Sequence, residues 1–367
     1  MKREDRLKQK EDLRNQLKRI DGKGYKAYND IFGSYSFGNY VLHLDHIQVD
    51  PFAPPSRVRV EVEQKRAGFP RETFQIHSRQ IALRDYLTRK FAQACSKYFR
   101  GNRGTGNSGV ISIDQPGQEI LERSSIFVTD SLVEARFTMG LPAFGRRIAG
   151  RQAESMFFEE LPRIIDASLL FKSLDQADLM LHVETNEDAD FLRETIRDLG
   201  LVAFIASGAV LPRESGIDPQ PLSKGRVVPF EPPVSLNVEV DLPNRGKIRG
   251  MGIPRGVTLI VGGGYHGKST LLDALELGVY NHIPGDGREF VITDPLAMKI
   301  RAEDGRSISK VETMGRVSWC GVCTGGSKPT GIVRIGDLVV SRASPEYGRQ
   351  GSSSRVVHGR RESRFRG

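Results

Sequence analysis

Val257-Thr258-Leu259-Ile260-Val261-Gly262-Gly263-Gly264-Tyr265-His266-Gly267-Lys268-Ser269-Thr270-Leu271-Leu272 is the stretch from which everything else in this chain can be read. An apolar strand of the kind buried in a parallel sheet ends at Val261. Gly262 to Ser269 then fits G-x-x-x-x-G-K-[ST], and the apolar spacing from Lys268 to Leu275 is helical. Glycines at Gly262, Gly263, Gly264 and Gly267 let successive N–H groups, including those of Tyr265 and His266, converge on phosphate oxygens without side-chain clash. The helix start at Lys268, Ser269 and Thr270 adds its dipole and its unsatisfied donors. Lys268 is expected to reach the β- and γ-phosphates, and the Ser269 hydroxyl to ligate Mg²⁺. The pattern therefore predicts a nucleoside triphosphate site with Mg²⁺. A glycine turn that binds nothing is the alternative.

Outward from this loop, proline is the next marker. Residues 211 to 233 hold six prolines among charged and small residues and are expected to form a domain joint. Upstream, Tyr40 to Leu44 and Arg57 to Val62 alternate with the period of strands, and Asp50 to Ser56 is a proline loop between them. Residues 78 to 99 have helical spacing, as do the regions around 151 to 174 and 187 to 199. Val110 to Asp114 and Leu201 to Ala206 read as strands, the second one buried. Residues 1 to 24 carry nine Lys or Arg and five Asp or Glu, with Leu7, Leu13, Leu17 and Ile20 on one helical stripe. From Ser341 onward seven Arg face two Glu, with much Ser and Gly. Such a segment buries too little apolar surface to offset its ordering entropy.

Composition excludes more than it identifies. Among 367 residues, 38% are hydrophobic and no stretch suits a membrane span. The charged N-terminus lacks the apolar run of a secretory signal. Three cysteines cannot build a disulfide framework and fit a reducing compartment, so an intracellular, cytoplasmic protein is expected. A net charge of +9 permits a polyanionic partner such as RNA, although a disordered basic tail without a partner is equally compatible.

Two other motifs read as decoys. Gly101 to Gly109 looks like a second phosphate loop, but Asn107 stands where lysine is needed and the loop follows a helix. Trp319-Cys320-Gly321-Val322-Cys323 lacks both the following helix of a redox motif and the second ligand pair of a zinc site.

Several segments carry a family resemblance. They are Asp50-Pro51-Phe52-Ala53-Pro54-Pro55-Ser56-Arg57, Gly140-Leu141-Pro142-Ala143-Phe144-Gly145-Arg146-Arg147, Asp241 to Gly246, Ile248 to Pro254, Val279 to Glu289 and Lys299 to Arg306. With Gly262 to Ser269 they resemble the landmarks of the ATPases of the ABC class, over about Tyr25 to Ser309. The resemblance implies a mixed fold, α/β and α+β. Residues 1–24 would form a charged helix and 25–233 a family-specific N-terminal α+β domain. Residues 234–310 would form a partial ABC-type P-loop nucleotide-binding domain, and 311–367 a divergent, disordered tail. It also implies ATP and Mg²⁺ as ligands, a homodimer as the working unit and RNA as a candidate partner. Beyond Ser309 no signature turn, acidic strand or switch histidine is recognisable. Thr324 to Ser327 is followed by Pro329, and Ile332 to Asp337 is interrupted by Arg334 with Leu338 in place of a glutamate. A chain truncated relative to the family, binding nucleotide with doubtful hydrolysis and no identifiable catalytic residue, is the expectation. A basic RNA-binding or scaffold protein is the alternative.

Overall fold

In the first unit, alternation between buried and exposed residues builds one sheet, and the helices cover its buried face. A computed structural model describes residues 7–101, 103–223, 225, 227–260, 265–302, 329–335, 338–343, 354–358 and 361–363. The described chain separates into two compact units, Met1–Val183 and Glu184–Gly367.

Helix α1 (Lys10–Ile20) buries Leu13, Leu17 and Ile20 completely, while Leu7 precedes it and is half exposed. Within the stretch 1–24, where a charged helix is expected, Lys10–Ile20 is helical and its apolar stripe belongs to the first core, while residues 1–6 lie outside the described residues. Asp21 Oδ1 accepts the Gly150 N–H at 2.7 Å just beyond its end. Strands β1 (Gly33–Ser36), β2 (Val41–His46) and β3 (Ser56–Glu63) follow. Helix α2 (His77–Tyr98) and strand β4 (Leu132–Met139) complete the framework. The strands pair antiparallel in the order β1-β2-β3-β4, with Ile111–Ser112 and Ile126–Val128 also on β4. Tyr35, Leu42, Val58, Val60, Ala135 and Phe137 point into the core with Leu83, Leu87 and Phe91 of α2.

The helical region after residue 150 is not continuous. Gly150–Ser155 passes through a π turn at Met156–Glu160 into α3 (Leu161–Ser168). Leu161 N closes the π turn onto Met156 O, and Pro162, with no N–H to donate, follows where the ladder changes register. Helix α4 (Gln176–Asp198) starts well before the 187 expected from spacing. Asp175 Oδ1 accepts the N–H groups of Ala177 and Asp178 at 3.0 and 3.1 Å, a side-chain cap that sets the start.

The second unit opens within α4. Strands β5 (Leu201–Ala206), β6 (Asn237–Leu242) and β7 (Gly246–Pro254) form a four-stranded sheet with a later strand at residues 291–293, in the order β6-β7-β5 and then that strand. All its pairings are antiparallel. This corrects the joint expected near 233. The compact units part at 183/184, and the proline-rich segment is an excursion between β5 and β6, two strands of a single sheet with β7 between them. It is fastened at its root, where Gly208 donates to Phe230 O at 2.7 Å and Phe230 donates to Ala209 O at 2.9 Å. Proline density marks missing local regularity, and it carries no information about the long-range pairing of β5 with β7.

Strand β8 (Val257–Ile260) leads to helix α5 (Lys268–Leu277), and β9 (Val291–Thr293) lies beyond. Strand β8 runs parallel to Leu338–Ala343, as expected of the strand before the glycine loop. It lies at the edge of its six-stranded sheet, and Leu259 is therefore 59% exposed instead of buried. Much of 311–367, expected to be disordered, lies outside the described residues. The described stretches Pro329–Ile335, Leu338–Ala343, Ser354–His358 and Arg361–Ser363 have extended backbone. Among the described residues no helix is long and apolar enough to cross a membrane.

Candidate nucleotide site

Helix α5 begins directly after the glycine loop. Gly262, Gly263 and Gly264 lie outside the described residues, and the second half of the loop is described. Tyr265 is fully exposed with φ 62, a conformation that side-chain-bearing residues seldom adopt and that turns the loop toward the helix. His266 and Gly267 are exposed, and Gly267 is the residue before the helix, with φ 76. No side chain caps this helix start. Its first-turn N–H groups have no acceptor inside the helix, since the ladder opens with Leu271 donating to Gly267 O at 2.9 Å. Lys268 is buried at the head of the helix, Ser269 is exposed beside it and Thr270 is half-buried. A helix of ten residues, uncapped and preceded by a left-handed turn, has the donor geometry and the positive end that an anion requires. The described residues therefore fit a phosphate group.

A cleft of about 520 Å³ opens at this helix start. His266, Gly267, Lys268 and Thr270 form its polar end. Leu211, Pro212, Val228 and Phe230, all from the proline-rich segment, form an apolar wall, and Glu231 supplies a carboxylate. The wall was not found by sequence reasoning, which took that segment for a joint.

The opposite end of α5 is tied down by Arg193 of α4. Its Nη1 donates to Gly278 O at 2.8 Å and to Thr293 O at 2.6 Å, and its Nη2 to Asn281 Oδ1 at 2.5 Å. Burial lowers its pKa to about 10, with Asp190 and Asp294 pulling the other way, so it stays cationic at neutral pH against the negative helix end. Asp294 directly follows β9, the position an acid takes in many nucleotide sites. Thr293 N bonds Gly278 O at 2.8 Å, which fixes Asp294 at the C-terminal end of α5. A ten-residue helix rises roughly 15 Å, so this carboxylate is a helix length from Lys268.

The glycine segment 101–109 is a structural knot. Thr105 N donates to Ala143 O at 2.8 Å, and Asn107 N to Pro51 O at 3.0 Å. Asn107 Nδ2 adds a bond of 3.1 Å to Ala53 O, and Arg103 pairs with the buried Glu160. With Gly109 N on Gly140 O at 2.7 Å, these bonds bring the family-like segments 50–56 and 140–147 together, and Arg103 N and Ser108 N close on acceptors inside the turn. The thiol of Cys95 is buried, which raises it to about 12. Residues 319–327 lie outside the described residues.

Family comparison agrees with this layout. Residues 10–172 match the N-terminal domain of ATPases of the ABC class, and residues 175–317 match the P-loop domain of the ABC ATPases. An uncharacterized protein of Methanocaldococcus jannaschii is 35% identical over 113 residues, covering 28% of this chain and 24% of that protein. The chain thus spans about a quarter of that relative.

Proposed function

Since the chain belongs to the ATPases of the ABC class, we propose that its second unit binds Mg-ATP at the start of α5. The triphosphate lies against the helix N-terminus and the N–H groups of Gly262 to Gly267, with Lys268 neutralising the β- and γ-phosphates. Thr270 lines the same end, Ser269 is exposed beside it, and the Ser269 hydroxyl would be the ligand for Mg²⁺. When bound, the metal adds charge neutralisation across the phosphates. The base and ribose occupy the apolar end of the cleft, against Leu211, Val228 and Phe230. The observation that carries the reading is the uncapped helix start opening into a cleft that is polar at one end and apolar at the other.

Turnover is slow in this reading, because Asp294 is a helix length from the phosphates and cannot orient a water there. In a homodimer, the partner would close the site. Isothermal titration tests the assignment. Mg-ATP binding to the full chain should vanish in Lys268→Ala, and unchanged affinity in that variant would refute it. A steady-state assay with the same protein should find far less hydrolysis than occupancy.

RNA binding is a second reading, favoured by the net charge of +9. Affinity for a single-stranded RNA should then fall steeply with salt, and removing residues 341–367 should lower it and its salt slope if the arginines there are responsible.

A further inference from the structure

The segment Asn281 to Arg288, which follows α5, takes no part in gripping phosphate. It nevertheless contains a dense set of buried polar side chains: His282, Asp286 and Arg288 are all at most 2% exposed. Their partners lie in the segment that forms the apolar wall of the cleft. Arg213 Nη2 reaches Asp286 Oδ2 at 2.6 Å while its Nη1 donates to Asp286 O at 2.9 Å. His282 Nδ1 stands 2.9 Å from the same Oδ2. Arg288 Nε donates to Leu211 O at 3.0 Å, with a second bond from Nη2 to that oxygen. Val210 N donates to Gly287 O at 2.9 Å. Gly287 has φ +79, and a Cβ there would lie 2.5 Å from Val210 Cβ, so the two strands of chain touch as closely as backbone allows.

These contacts converge on residues 210 to 213, which include Leu211 and Pro212 of the wall. Building on the nucleotide reading above, we infer that Arg213, Asp286 and Arg288 are positioning residues that clamp the apolar wall and so make the cleft select a nucleoside triphosphate over a bare polyphosphate. The physical argument is one of preorganisation. Among the described residues of 211 to 233 the chain holds itself by the bonds at its root and by one short bridge, where Leu222 N donates to Pro212 O at 3.1 Å and Glu214 N to Gln220 O at 3.0 Å, and a wall held by these alone would have to be ordered further when the base arrives. That ordering cost falls on ligands that use the wall and on no others. Buried ion pairs contribute little net stability but fix geometry, which suits this role.

The test is a pair of titrations on the full chain, with Mg-ATP and with Mg-tripolyphosphate. Wild type should prefer Mg-ATP. Arg213→Ala should weaken Mg-ATP about tenfold and leave tripolyphosphate within error, and Arg213→Lys, which keeps the charge but not the fork, should recover part of the loss. Asp286→Asn preserves side-chain shape and should reproduce the selective loss, so a folding defect peculiar to one variant does not decide the outcome. If both ligands weaken in parallel in both variants, or Mg-ATP affinity is unchanged in either, the clamp is overturned. Lys268→Ala separates this from the site itself: it should lose both ligands. If wild type binds neither ligand, or Lys268→Ala binds both as before, the nucleotide reading falls first.

Discussion

Arg89 Nε lies 2.7 Å from Asp85 Oδ2, one turn along α2, and the carboxylate between them and the core has no exposed surface. Arg123 Nε takes the other oxygen at 2.9 Å, and His182 Nε2 stands 3.3 Å from Oδ2. Breaking such an arrangement from the acidic side strands two cations in a poorly solvated site. Asp85→Asn is therefore expected to cost about 3 kcal/mol, read as a lowered urea or thermal midpoint. A loss under 1 kcal/mol would mean that solvent reaches the cluster.

The same carboxylate sets a pH limit. Burial would raise its pKa, but the adjacent His182 imidazole and the Arg89 guanidinium outweigh burial and hold it below the usual carboxylate range. Its stabilisation is complete above the unfolded value of about 3.9 and drains away as pH falls through the lower folded value. Wild type should lose stability on this acid limb, and Asp85→Asn should show a flatter one.

Gly104 supplies a packing test. It has φ +141, and a Cβ would stand 2.1 Å from Ala143 O. Gly104→Ala is expected to lose about 2–4 kcal/mol, since both the backbone conformation and the approach of the 140–147 loop resist a methyl group. Chemical denaturation of the purified variant measures it.

Ser269 separates metal from nucleotide. Ser269→Ala should weaken Mg-ATP about tenfold and leave ATP measured in EDTA nearly unchanged, because only the metal contact is removed. Equal losses with and without Mg²⁺ would show that the hydroxyl serves the phosphates instead.

Arg193→Met keeps length and loses the bonds to Gly278 O and Thr293 O. About 2–3 kcal/mol of stability should go with them, as charge-assisted bonds to a helix end are among the stronger ones. Hydrogen exchange should report faster opening in the last turn of α5.

What could be read without coordinates was whatever the chain encodes locally. Helix α2, strand β5 and the start of α5 announce themselves through spacing, and the turn 101–109 through its glycines. The wall of Leu211 and Phe230 could not be read, because only the pairing of β5 with β7 folds the proline-rich segment back toward Lys268. The same holds for Asp85. Its neighbours Arg84 and Arg89 look like an ordinary solvated helix face, and Arg123 and His182, which make the charge tolerable inside, come from elsewhere. A faint signal was available in the alternation of Leu83, Tyr86 and Leu87 with these charges, which leaves little of the helix surface for water.

Helix α4 has a practical consequence for anyone who wishes to separate the two halves of the molecule. Leu179 and Val183 are spent in one interior, while Ala189, Leu192 and Ile196 are spent in another. A cut between Val183 and Glu184 leaves each interior its own side chains but severs the helix, so the carbonyls of the last turn on one side and the N–H groups of the first turn on the other lose their ladder partners. Dissection therefore calls for a new stop signal on one fragment and a new capping residue on the other.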